Sequence, residues 1–250
     1  ANMPPIKSPR YISEEHILLL SKVLRDKGRM VNLPRVSYVK ILEAERILLF
    51  NGYLGFEKLN ELSNKIRQVL SEYYRDYEGL VFQTVPGILT ILSGKTTSSI
   101  EKEIYLVINQ IAPHGVSFVS VSHERPFTTL LIASRMLTRK PGFTYIDGPL
   151  DKYVIGILDY SHELPQSDIA SSVFISKKYC GEISKLSYKL GGIFLECGYS
   201  RSIILLDPLR IQDLKGYDFE VKIGVGEGDT PVKALINAER SLSLRGLIAS

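Results

Sequence analysis

The sequence predicts an α+β fold built from two copies of one strand–helix–hairpin–helix–strand–helix unit, with a short helical arm ahead of them. Three observations carry this. Apolar residues change between helical and strand periods in the same order twice along the 250 residues. Breaks at Lys140-Pro141-Gly142 and Gly148-Pro149 separate the two runs. Pro126 with Ala133–Leu137 recurs as Pro231 with Ala238–Leu242, and Val81-Phe82 recurs as Ile193-Phe194.

The elements follow in order. Residues 1–10 hold three prolines and read as an extended tail. Ser13, Glu14 and Glu15 start a helix carrying Ile17, Leu20 and Leu24 on one face, which Gly28 ends. Val36–Leu42 reads as a strand after Pro34. From Phe56 to Tyr73, Leu59, Leu62, Ile66, Val69 and Tyr73 recur at helical period. Leu80–Val85 and Ile88–Leu92 make a hairpin around Pro86-Gly87. A helix from about Ser99 presents Ile104, Val107, Ile108 and Ile111. Val116–Val121 is a strand, and Pro126 opens a helix.

Past the breaks the order resumes. Tyr153–Leu158 is a strand, residues 168–190 form a helix stopped by Gly191-Gly192, and Ile193–Cys197 pairs with Ser202–Leu206. A short connection with Ile211-Gln212-Asp213 replaces the second helix. Phe219–Val225 is a strand, and Pro231 starts the last helix. The chain thus divides into a tail and helix over 1–33, a first unit over 34–140 and a second over 150–246. Each unit's order fits a ferredoxin-like sheet with helices on one face and the other face free to bind or pair.

Composition narrows the function classes. No apolar run approaches the roughly 18 residues a membrane span needs, so no membrane partner is expected. No apolar N-terminal stretch precedes a small-residue cleavage site, and the cytoplasm is the expected compartment. The net charge of +4 is too mild to mark a nucleic-acid-binding surface by itself. Cys180 and Cys197 are too few for a disulfide framework, lack metal-ligand spacing, and read as small buried hydrophobes.

Three stretches carry a family likeness: Gly79-Leu80-Val81-Phe82, Val116–Leu137 with its Glu124-Arg125-Pro126-Phe127, and Ile223-Gly224-Val225-Gly226 through Ala238-Glu239-Arg240. The layout resembles the palm-like domains of nucleotidyl cyclases and GGDEF diguanylate cyclases. Its tandem form is similar to archaeal GTP cyclohydrolase type III, whose single chain holds two such halves. The resemblance spans residues 36–245. It implies a purine nucleotide, GTP, as ligand and Mg²⁺ as cofactor. In that family the ion is held by an Asp at the end of the first strand and an acidic residue in the hairpin turn, hard oxygens bridging metal to triphosphate.

On this likeness Asp159 is the candidate metal ligand, the alternative being an Asp that ends a strand or caps a helix. Gly198 and Tyr199, in the second hairpin turn, are candidates for nucleotide contact. Tyr199 stands where the acidic ligand belongs, and Glu196 is displaced to the opposite strand face. In the first unit Leu42 or Glu43 and Pro86-Gly87 occupy the matching positions. Gly224 and Gly226, ahead of a helix, are candidates for presenting N–H groups to a phosphate, with a tight strand-to-helix turn as the alternative. The four histidines, His16, His114, His123 and His162, lack metal-ligand spacing; His123 and His162 lie near strand ends, where acid–base groups occur.

The sequence therefore points to a degenerate GTP cyclohydrolase III-like protein that binds a nucleotide or a regulatory partner. The alternatives are an active Mg²⁺-dependent cyclohydrolase using Asp159 with Glu196 or Glu43, and a DNA-binding regulator built on Arg25, Lys27, Arg29 and Arg35. Both a monomer and a homo-oligomer fit, because the two units could supply their own mutual interface.

Overall fold

Arg35–Ile41 (β1) is the central strand of a five-stranded sheet ordered β2-β3-β1-β4-β5. Its neighbours are the hairpin Leu80–Val85 (β2) and Ile88–Leu92 (β3) on one side, and Val116–Ser122 (β4) on the other, all antiparallel. Gly87 takes a positive φ of 87° in the hairpin turn, a conformation side-chain-bearing residues rarely adopt. The second sheet runs β7-β8-β6-β9. It comprises Tyr153–Asp159 (β6), Ile193–Cys197 (β7), Arg201–Leu205 (β8) and Lys222–Gly228 (β9). In both sheets the unit's first strand lies between the second hairpin strand and the last strand. The computed structural model describes residues 34–146, 148, 152–165, 168–210, 213 and 221–248. The arm expected over 1–33, Ile211-Gln212 and the start of the strand expected from Phe219 lie outside these.

Each sheet packs a helix on its apolar face. Val39, Ile41, Leu89, Ile91 and Phe118 meet Ile66, Leu70 and Tyr74 of Ala44–Arg75 (α1) and Ile104 and Ile108 of Ser98–Ile111 (α2). Thr97 caps α2 by accepting the Ile100 N–H. α1 starts twelve residues earlier than its period suggests and is interrupted at Gly52. In the second unit Val154, Leu158, Ile204 and Leu206 pack on Ile183 and Leu186 of Ile169–Lys189 (α4) and on Leu190, and Asp168 caps that helix.

The opposite sheet faces are not free. Strand residues alternate faces, so Tyr38 points away from Val39 and donates to, or accepts from, Thr129 of Pro126–Met136 (α3) at 2.8 Å. In the second unit Gly224, Gly226 and Gly228 line the face under Pro231–Ile248 (α5). The α+β class stands, but a further helix in each unit, α3 in the first and α5 in the second, covers the face expected to be open. In the second unit the glycines along β9 let α5 approach where larger residues would hold it off.

The expected linker also contains a strand. Gly142–Ile146 (β5) pairs parallel with β4, from Ser117↔Gly142 to Val121↔Ile146. Its alternation of Phe143, Thr144, Tyr145 and Ile146 is strand-like, but the flanking Pro-Gly and Gly-Pro pairs outweigh it in a local reading.

The two units meet in matching ways, within the single body Asn32–Ser250. The Phe127 N–H, in the first turn of α3, donates to Gly191 O ahead of the second hairpin (3.0 Å). Val232, at the same place in α5, donates to Glu78 O ahead of the first hairpin (3.4 Å). Tyr153 of β6 reaches into the first unit, where its hydroxyl donates to Arg35 O (3.2 Å) and accepts from the Arg35 and Gly94 N–H groups. Burial pushes the Tyr153 hydroxyl's pKa well above its ordinary value, so it acts as a neutral donor.

Candidate functional site

Asp159 ends β6, and antiparallel pairing sets it opposite Arg201 at the start of β8 and Lys222 at the start of β9. Directly paired residues share a sheet face, so one carboxylate lies between two cationic side chains at one end of the sheet. Arg201 Nε donates to Asp159 Oδ2 at 2.7 Å, while its Nη1 donates to Glu239 of α5 at 3.3–3.4 Å. The other oxygen, Oδ1, accepts the Ser161 N–H at 2.9 Å and hydroxyl at 2.6 Å. Asp159 is 8% exposed and Arg201 47%.

Burial alone would push the Asp159 carboxyl up, but the Ser161 donors and the Arg201 guanidinium together hold it below the usual carboxylate range. A depressed folded-state value means the contribution to stability is present above the unfolded value, about 3.9, and is lost as pH falls through the folded one. Asp159→Asn is therefore expected to cost about 1 kcal/mol at pH 7, kept small by the exposure of Arg201. Urea unfolding of both chains should show that difference closing below about pH 4; a difference constant with pH would contradict this account.

Magnesium needs oxygen ligands that are free to face it. Both oxygens of Asp159 are committed to protein donors. Glu196 of β7 pairs across the unit boundary with Arg67 of α1 at 3.5 Å, and Glu43 pairs with Arg46 and with His114. Among the described residues no three His, Cys, Asp or Glu side chains group to hold a metal. These residues do not fit Mg²⁺.

The remaining candidates are placed differently. Gly198 sits in the hairpin turn, its N–H donating to Arg201 O at 2.7 Å and its carbonyl accepting from Tyr160 Oη at 2.9 Å. Tyr199 beside it is 61% exposed. The structure brings Gly198 and Tyr199 to the same sheet end as Asp159. It does not bring Gly224 and Gly226 there in an open loop: both lie beneath α5, where a Cβ on Gly226 would stand 2.1 Å from Ala238 N and 2.2 Å from Ala234 O. These glycines serve helix–strand contact.

His123 Nδ1 accepts the Arg125 N–H at 3.1 Å, and burial holds its pKa below the ordinary imidazole value. His162 pairs with Glu163 at 3.4 Å. His16 lies outside the described residues. Arg35, one of the four cations behind the DNA-binding reading, is fully buried, and Arg25, Lys27 and Arg29 lie outside the described residues.

Sequence reading missed two arrangements. The first is a buried polar network in the first unit. Glu101 of α2 is fully buried, and its Oε1 accepts the hydroxyls of Ser37 (2.9 Å), Tyr74 (3.1 Å) and Thr96 (3.1 Å), while Oε2 has no hydrogen-bond partner. Ser37 also meets Ser93 and Ser120, and Ser120 accepts from Arg35 Nη1 at 3.2 Å. Arg35 further donates to Ile146 O and Gly148 O and lies 4.1 Å over the Tyr145 ring. Ser37, between Val36 and Tyr38, and Ser120, between Val119 and Val121, were the available signal.

The second arrangement is a disulfide. Cys180 of α4 and Cys197 at the end of β7 are bonded, with Cα atoms 5.9 Å apart, which corrects the reading of two isolated buried thiols. Helical register and strand length bring together two residues that no spacing rule connects.

The sequence matches no family model and no curated protein. Among solved structures the chain is similar to a Class III adenylyl cyclase-like ATP-binding protein from Pseudomonas aeruginosa. Identity is 8%, the alignment covers 85% of this chain and 81% of that one, and the TM-score is 0.36. A likeness this distant carries no argument about ligand or mechanism. No described helix is long and apolar enough to cross a membrane.

Proposed function

We propose that this protein is a non-catalytic purine-nucleotide-binding regulator on a tandem palm-type scaffold, and that Arg201 replaces the metal of the enzymes it resembles. The observation behind this reading is the 2.7 Å ion pair between Asp159 and Arg201 at the sheet end where such enzymes hold a cation. A guanidinium neutralises the strand-end carboxylate from within the chain, leaving that carboxylate unable to recruit Mg²⁺. Arg201, half-exposed, and Lys222, exposed and in register with Asp159, supply cationic donors for phosphate oxygens. Tyr199 offers an exposed ring beside them.

Isothermal titration with GTP and ATP, each with Mg²⁺ and with EDTA, tests the proposal. Binding should persist without the metal and weaken about tenfold in Arg201→Ala, the loss expected for one charge-assisted contact. Absence of heat with either nucleotide overturns nucleotide binding. Mg²⁺-dependent release of pyrophosphate or a formamidopyrimidine from GTP would instead establish the cyclohydrolase reading.

A further inference from the structure

The hairpin turn that presents Tyr199 and Arg201 is fastened at one point to a helix. Cys197 is the last residue of β7, immediately before Gly198, and its disulfide to Cys180 ties the turn to the middle of α4. Both cysteines are half-buried, within reach of a reductant. Tyr160, fully buried and next in sequence to Asp159, lies with its hydroxyl 3.7 Å from Cys180 Sγ and 3.6 Å from Cys197 Sγ. The same hydroxyl donates to Gly198 O at 2.9 Å, and the Tyr160 ring stacks on Tyr179 of α4 at 5.0 Å. The Tyr160 N–H donates to Ser200 O at 2.9 Å. Disulfide, turn and the strand end bearing Asp159 therefore meet at one buried tyrosine.

From this geometry we infer that Cys180–Cys197 is a redox latch controlling the turn that carries Tyr199 and Arg201. The inference takes its ligand from the nucleotide reading above. A dithiol reductant opens the latch by exchange. Its thiolate bonds to Cys197 Sγ, the Cys180–Cys197 bond breaks, and Cys180 leaves as a thiolate that takes up a proton. The reductant's second thiol then attacks the mixed disulfide. Cys197 is released as a thiol and the reductant departs as its own disulfide, two electrons having passed to the protein. Two thiols cannot occupy the positions of bonded sulfurs, so breaking the bond removes the tie and frees the end of β7 to draw away from α4. Tyr160 can no longer serve both sulfurs and Gly198 O from one position, and the turn loses its fixed spacing from Asp159.

Hydrogen exchange of the full chain, oxidised and after dithiothreitol, is the primary test, with GTP titrated into both forms. Reduction should accelerate exchange of the Tyr160 and Gly198 amides about tenfold or more, leaving the two cores protected, and should weaken GTP binding about tenfold. Cys197→Ser should behave as the reduced chain and ignore dithiothreitol. Identical local exchange in both forms overturns the latch. Acceleration spread over both sheets also overturns it, because the bond would then be a general staple. Local acceleration with unchanged GTP affinity overturns its control of the binding site. If GTP binds neither form while local exchange still rises, the nucleotide reading fails and the latch on the turn stands.

Discussion

Gly226→Ala should lower the melting temperature by about 10 °C, from a loss of about 3 kcal/mol at the upper end of the usual cost of overpacking. The added methyl would stand 2.1 Å from Ala238 N and 2.2 Å from Ala234 O. Both are backbone atoms of α5, so no rotamer change relieves the contact, and the helix must move away from β9. Gly224→Ala meets Ala238 O at 2.3 Å and should behave similarly. Gly181→Ala is the internal control. That glycine lies within α4 with nothing within 4 Å of the new methyl, and replacing it should stabilise by about 0.5–1 kcal/mol. Differential scanning calorimetry reads all three. If Gly226→Ala melts like the native chain, α5 is not seated on the glycine column.

Glu101→Ala should cost about 3 kcal/mol in urea unfolding. The substitution leaves the hydroxyls of Ser37, Tyr74 and Thr96 without their shared acceptor and opens a cavity beneath α2. Glu101→Gln keeps one acceptor oxygen and the volume, so its expected cost is about 1 kcal/mol. The order of the two variants matters more than either value. Equal losses would mean that packing volume, not the shared oxygen, holds the site together. Tyr74 gives an independent reading: burial, with Glu101 beside it, pushes its hydroxyl well above the ordinary tyrosine value, so it should not ionise while the chain is folded.

Most elements were legible in the residues because their signals are local. Leu59, Leu62, Ile66, Val69 and Tyr73 mark α1 by period, Pro126 and Pro231 mark helix starts, and Pro86-Gly87 marks a turn. β5 escaped because it forms only by pairing with β4, and its flanks read as breaks. At the candidate site the position of Asp159 at a strand end was readable, while its partner was not. Arg201 lies 42 residues further along the chain, and only the register of β6 against β8 sets it opposite Asp159. The Gly-Val-Gly-Glu-Gly stretch illustrates the same limit. Glycines that cradle phosphate and glycines that admit a helix look alike until the helix position is known.

The sequence by itself determined the order of strands and helices apart from β5, the recurrence of that order, and the absence of an acidic residue at Tyr199. All of these follow from period, turn chemistry and residue identity within a few positions. Only the tertiary structure decided that α3 and α5 cover the second sheet faces, that Arg201 occupies Asp159, and that Cys180 bonds Cys197. Each of those depends on strand register and on helix placement, and both are settled by packing between segments far apart in the chain.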